Sequence, residues 1–156
     1  MKIAVIGAGM AGLTLAQRLG VRYRSGIGVI KDYKEAMQWS RLAAEQGNAN
    51  AQANIGALYF YGQGVPKDDK ETVKWQRLAA EQGHARSQRN LGLMYKLGLG
   101  VKEDAIYGNM WLNIAASNGD EDAANEREAT GGMTESDISK AQDLARECVK
   151  KNYKGC

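Results

Sequence analysis

Three features of this 156-residue chain carry residue types that could do chemistry. Gly7, Gly9 and Gly12 form a G-x-G-x-x-G run behind the apolar stretch 3–6. Glycines at that spacing let backbone amides approach a pyrophosphate at a helix N-terminus. His84 is the only histidine, and no metal-ligand or general-base partner lies near it in sequence. Cys148 and Cys156 are the only cysteines, too few with one histidine for a four-ligand zinc site. A helix running through both would hold their Cα atoms about 12 Å apart, beyond the roughly 7 Å a disulfide allows. Two states are therefore open: a disulfide, if the helix stops near Asn152 and Gly155 turns the chain back, or two thiols in a frayed tail. No G-x-S-x-G, H-E-x-x-H or phosphate-loop motif is present. The acid pairs 68–69 and 121–122 fall at helix starts, where the helix dipole accounts for them. We expect no catalytic residues, no metal and no cofactor.

The elements that must position these groups are set by the tryptophans. Trp39, Trp75 and Trp111 stand 36 residues apart each time, and a period of that size signals a stacked repeat. Between 20–51 and 56–87, 18 of 32 positions are identical, including the run 41–47 over 77–83. A third copy keeps Gly92, Tyr95, Gly98, Gly100, Val101, Asp104, Trp111, Ala115, Ala116 and Gly119. The periodicity predicts two helices per copy. In the second copy the first helix covers about 51–61 and ends at Gly62, with Gly64 keeping the link tight. Asp68 with Glu71, like Asp32 with Glu35, has capping-box spacing before a second helix over about 69–82, whereas Asp104 is followed by Tyr107. Gly20, Gly56 and Gly92 inside the first helices point to a neighbour too close for a Cβ. The tryptophans read as core between layers. Beyond the third copy, a short helix over 120–128 precedes a last one over about 135–151, capped by Thr134 with Asp137. Its apolar face is Ile138, Ala141, Leu144, Ala145 and Val149, a fitting end for a stack.

The run Leu91-Gly92-Leu93-Met94-Tyr95, Gly98, Gly100, Val101, Asp104, then Trp111, Ala115-Ala116 and Gly119 resembles the Sel-1-like repeat family, relatives of the tetratricopeptide repeats. The resemblance covers about residues 14–125, as three units near 14–49, 50–85 and 86–121, with a capping helix and tail at 126–156. It implies an all-α solenoid of helix-turn-helix repeats that acts as an adaptor without chemistry of its own. Partners of such proteins lie on the concave side, lined by the first helices. There Asn54, Tyr61, Arg89, Asn90 and Lys96 are placed to grip a peptide or protein, although Asn54 and Asn90 equally suit bonds between repeats.

Residues 1–20 separately resemble the first strand-turn-helix of a Rossmann domain binding FAD or NAD. That fold needs a second strand ending in an acid about 20 residues on. Asp32 has the spacing but belongs to a repeat cap. The expectation is a fused remnant whose helix, about 10–24, doubles as the first of repeat one, or else a leader peptide. A dinucleotide-dependent oxidoreductase fragment is the rival in another class. The net charge of +3, without a run of five cations, does not point to nucleic acid, and no stretch is long and apolar enough to cross a bilayer. An exported binder of peptides or cell-wall fragments would follow from a cleaved leader and a bridged cysteine pair; otherwise the chain is expected in the cytoplasm.

Overall fold

Glycine punctuation and acidic caps divide the chain into helices in the computed structural model, which describes residues 10–28, 31–129 and 131–156, with side chains from Leu15 onward. The order is α1 (Met10–Ser25), α2 (Tyr33–Ala44), α3 (Ala49–Tyr61), α4 (Asp69–Ala80), α5 (Ala85–Leu97), α6 (Ala105–Ser117), α7 (Glu121–Glu128) and α8 (Glu135–Lys150). Every regular element among the described residues is a helix. The strand expected over 3–6, with Gly7 and Gly9, lies outside them, while Gly12 falls within α1. Two compact units result, one through Asp68 and one from Asp69 to Cys156, so their boundary falls inside the second repeat.

The turn inside each repeat is closed by the backbone. The Asp32 N–H donates to the Tyr23 carbonyl at 2.9 Å, Asp68 to Tyr59 at 3.2 Å and Asp104 to Tyr95 at 2.9 Å. Because Tyr23 takes the Asp32 N–H, the capping box expected with Glu35 does not form there. Asp32 Oδ1 instead accepts from the backbone N–H groups of Lys34 and Glu35. Glu71 accepts from Lys74 and from the Trp75 indole. A reciprocal box forms between Thr134 and Asp137, at the start of α8.

The paired glycines divide their work. Gly62 and Gly98 end α3 and α5 with φ of 63° and 64°, a left-handed backbone that glycine adopts without a Cβ penalty. The second glycine of each pair lets two chain segments touch. A Cβ on Gly64 would lie 2.6 Å from the Tyr33 carbonyl, and one on Gly100 would strike the Asp69 carbonyl, at the equivalent place one repeat later. Within the helices, a Cβ on Gly20 would meet Ser40 Oγ at 2.6 Å, and one on Gly92 the Gly108 carbonyl at 2.8 Å. Close helix crossing thus accounts for glycine at both positions.

Each unit has its own core. In the first, Ala16, Ala36, Met37, Ala43, Ala44, Ala51, Ile55 and Leu58 are buried, a core of mostly small side chains between closely spaced helices. In the second, Val73, Ala80, Leu91, Met94, Met110, Trp111 and Ile114 pack with Ala145 and Cys148 of α8. The reading of all three tryptophans as core needs correction. Trp111 is 0% exposed beneath α8, whereas Trp39 and Trp75 are only half-buried. Trp75 reaches the surface, where its Nε1 donates to Glu71 Oε2 at 3.1 Å. The face of α8 is also narrower than its sequence suggests: Ala141, Ala145 and Cys148 are buried, Ile138 is half-buried, and Leu144 and Val149 are exposed.

After α8, Asn152 and Tyr153 take φ of 52° and 65°, reversing the chain, and Cys156 bonds to Cys148 with Cα atoms 5.6 Å apart. Arg77 Nη1 donates to the Cys156 main-chain oxygen at 3.1 Å, and the Tyr153 hydroxyl to Asn118 Oδ1 at 3.2 Å. The disulfide ties the tail to α8, and these two hydrogen bonds hold it against α4 and the α6–α7 turn. By loop-closure entropy a ring this small stabilises by about 2–3 kcal/mol. Reduction should lower unfolding stability by that amount in a denaturant titration with and without dithiothreitol, and the Cys148→Ser/Cys156→Ser variant should match the reduced protein. Equal oxidised and reduced midpoints would show that the tail is not held this way.

Candidate functional site

Polar residues at equivalent repeat positions are mostly occupied in holding the fold. Arg41 Nη2 donates to the Tyr59 hydroxyl at 3.0 Å, and Arg77 makes the same bond to Tyr95. Gln52 and Gln88 donate to the carbonyls of Ala44 and Ala80. Asn48, His84 and Asp120, aligned by the repeat, each cap the helix that follows. Read as sequence, His84 is an exposed turn residue. It is half-buried, and its Nδ1 accepts the Ser87 N–H at 3.2 Å. The signal was available in the alignment, because asparagine and aspartate at the other two positions are strong N-caps.

Burial pushes the His84 imidazole below its ordinary value of 6.5, and the positive charge of Arg86 adds to the effect. A lowered folded-state pKa means that the folded chain resists protonation more than the unfolded chain does. Stability is then full above pH 6.5 and declines as pH falls below it towards the depressed value. Protonated Nδ1 can no longer accept from Ser87. The His84→Asn variant should lose less stability than wild type between about pH 7.5 and about pH 5.5. Parallel denaturation curves at the two pH values check this, and identical losses would remove the histidine from the account.

The residues expected to grip a partner divide into two groups. Asn54 is 6% exposed and donates to Ser40 Oγ at 2.8 Å, so it is a bond within the first unit and not a contact surface. Arg89 and Lys96 are occupied by α7. Arg89 pairs with Asp120 at 3.3 Å, Asp122 at 3.2 Å and Glu126 at 3.4 Å. Lys96 Nζ donates to the carbonyls of Glu126 and Ala129, both at 3.1 Å. The Arg89–Asp120 contact repeats Gln17–Asn48, whose amides bond at 2.9 Å across the same sequence spacing. Asn90 is half-buried on α5.

Tyr61 remains outward, 65% exposed, with its ring edge-on to Phe60 at 5.1 Å. Leu97, at the same place in the next repeat, is 64% exposed. Tyr61 also borders an open cleft of about 260 Å³ in the first unit, with Arg24, Ser25, Lys31, Tyr33 and Gln63. Apart from Tyr61, this cleft was not apparent in sequence, because its members come from the C-terminal ends of α1 and α3, the turns that follow them and the start of α2. Lys31 Nζ lies 4.9 Å from the Tyr33 ring centroid, at cation–π distance. Among the described residues, no three His, Cys, Asp or Glu side chains are placed to hold a metal ion. No helix among them is long and apolar enough to cross a membrane.

Comparison with known proteins fits this architecture. A model of the Sel1 repeat matches residues 16–48, 49–84 and 85–120, more than half of the chain. Comparison with curated proteins gives no significant match. Among solved structures, the chain is similar to c5321, a protective antigen present in uropathogenic Escherichia coli strains and displaying an SLR fold. The TM-score is 0.81 and the identity 31%, over 90% of this chain and 31% of that one. It is also similar to a Sel1 repeat protein from Oxalobacter formigenes, with a TM-score of 0.68 and 35% identity over 75% of this chain and 88% of that one. The chain therefore spans about a third of the length of c5321. The fold class is an α-solenoid of helical repeats, and the chain belongs to the Sel1 repeat family.

Proposed function

We propose that the protein is a non-enzymatic interaction module that takes a protein or peptide partner on the first-helix side of its repeats, the concave side expected of such solenoids. Sel1 repeats are in general protein-interaction scaffolds. The observation that carries the finer reading is the recurrence of a large exposed side chain at the last position of α3 and α5, Tyr61 and Leu97. Tyrosine is well suited to this, since its rigid ring supplies contact area with little conformational freedom to lose, and its hydroxyl adds a hydrogen bond.

Selection of a displayed random-peptide library on the purified protein tests the proposal. Peptides that bind the isolated protein, and that lose at least about tenfold in affinity to Tyr61→Ala with Leu97→Ala, are the expected result. A library that yields no binder would overturn it. The disulfide favours a second element of the reading, an oxidising compartment and hence an exported peptide binder. The mass of protein from its native host, after alkylation, checks this. Two alkylated thiols would place it in a reducing compartment instead.

A further inference from the structure

We propose that the cleft bounded by Arg24, Lys31, Tyr33 and Tyr61 is a receptor for a carboxylate side chain of an acidic peptide partner. The inference rests on the interaction reading above and names the chemistry of one of its contacts.

Two cations line the cleft and no carboxylate does. The nearest acid in sequence, Asp32, is turned away to cap α2, with its Oδ1 accepting at 2.9 and 3.1 Å from the backbone of that helix. Arg24 Nε is buried and has no hydrogen-bond partner among the described residues. Arg24 also borders the cleft, and its guanidinium carries further N–H donors that can meet an incoming carboxylate in a charge-assisted bond. Lys31 has a ring beneath it, which holds an ammonium without neutralising it. Ser25 offers no free donor, because its hydroxyl already donates to the Val21 carbonyl at 2.8 Å. The positive charge therefore comes from Arg24 and Lys31, and the walls from two tyrosines.

Size selects the ligand class. At about 260 Å³ the cleft is smaller than the roughly 300–1,000 Å³ of a small-molecule site. It suits one side chain of a longer partner. A nucleic-acid strand asks for cations that follow a backbone of successive phosphates. Here only two cations, Arg24 and Lys31, border one small cleft, beside the exposed Tyr61. A glutamate in the cleft with an apolar neighbour on the Tyr61 ring matches that layout.

The test uses the whole chain with three fluorescent probes: a short synthetic peptide alternating glutamate with leucine, its glutamine twin, and an oligothymidylate of similar length. The expected result is binding of the glutamate peptide, at least about tenfold weaker binding of the twin, and a comparable loss in both Lys31→Gln and Arg24→Gln. Lys31 is exposed, so its variant keeps the test valid if Arg24→Gln folds poorly. Equal binding of the twin, or a glutamate peptide indifferent to both substitutions, would overturn the proposal. Tighter binding of the oligothymidylate would overturn it in favour of a phosphate site. Library-selected peptides that bind without need of Arg24 or Lys31 would leave the interaction module standing and remove only the cleft. If no peptide of any composition binds, the module fails and the cleft with it.

Discussion

Trp111→Ala should be the most damaging single substitution in the chain, lowering unfolding stability by about 3–5 kcal/mol. The side chain is 0% exposed and lies in a core cluster drawn from three other helices of its unit, with Val73 and Ala80 of α4, Leu91 and Met94 of α5, and Ala145 and Cys148 of α8. Truncation removes the largest fully buried side chain among the described residues and leaves a cavity that these helices can close only by moving. Urea titration followed by far-ultraviolet circular dichroism measures the loss. Trp75→Ala, the equivalent change one repeat earlier, removes a half-buried ring bonded to Glu71 and should cost clearly less. Equal losses for the two variants would mean that α8 does not cover Trp111 as described.

Gly100→Ala should cost about 3 kcal/mol, a large effect for one added methyl group. About 1–2 kcal/mol arises from forcing alanine into a backbone with φ of 70°. The remainder arises because the new Cβ would run into the Asp69 carbonyl, and backbone, unlike a long side chain, cannot step aside cheaply. Gly119→Ala supplies the control: its φ is 92°, yet nothing lies within 4 Å of the added carbon. It should show the backbone cost alone, so the difference between the two variants reads the close approach directly. If the two lose the same amount, the repeats do not touch at Gly100.

These two substitutions also mark how far the sequence could be read. The tryptophan interval gave the period, and with it the helix pairs, because side chains that face the core must recur with each layer. The same interval could not rank the three tryptophans. What separates Trp111 from Trp75 is α8, an element outside the repeat and therefore outside its periodicity. The glycine pairs were legible as punctuation, but the second of each pair is fixed by a contact one repeat back, between Gly64 and Tyr33 or Gly100 and Asp69.

The candidate site was legible in part for a related reason. Aligning the repeats placed Arg89 and Lys96 on a first helix but did not show that Asp120 and Glu126 pair with Arg89 or that main-chain carbonyls at the end of α7 take Lys96. A hint was present, since Asp120 follows Arg89 at the spacing that separates Asn48 from Gln17. Asn54 answered one of its two readings, because its bond to Ser40 lies inside the unit. Arg24, Lys31 and Tyr33 carry no motif at all. They become neighbours of Tyr61 only because α1 and α3 end side by side against the turn that leads into α2.

The most direct test of the account is a ¹H–¹⁵N chemical-shift map of the protein titrated with a library-selected peptide. Shifts should concentrate at the C-terminal ends of α1, α3 and α5, with Ser25, Tyr61 and Leu97 among the most affected amides. Shifts confined to α2, α4 and α6, with those three amides unmoved, would contradict it.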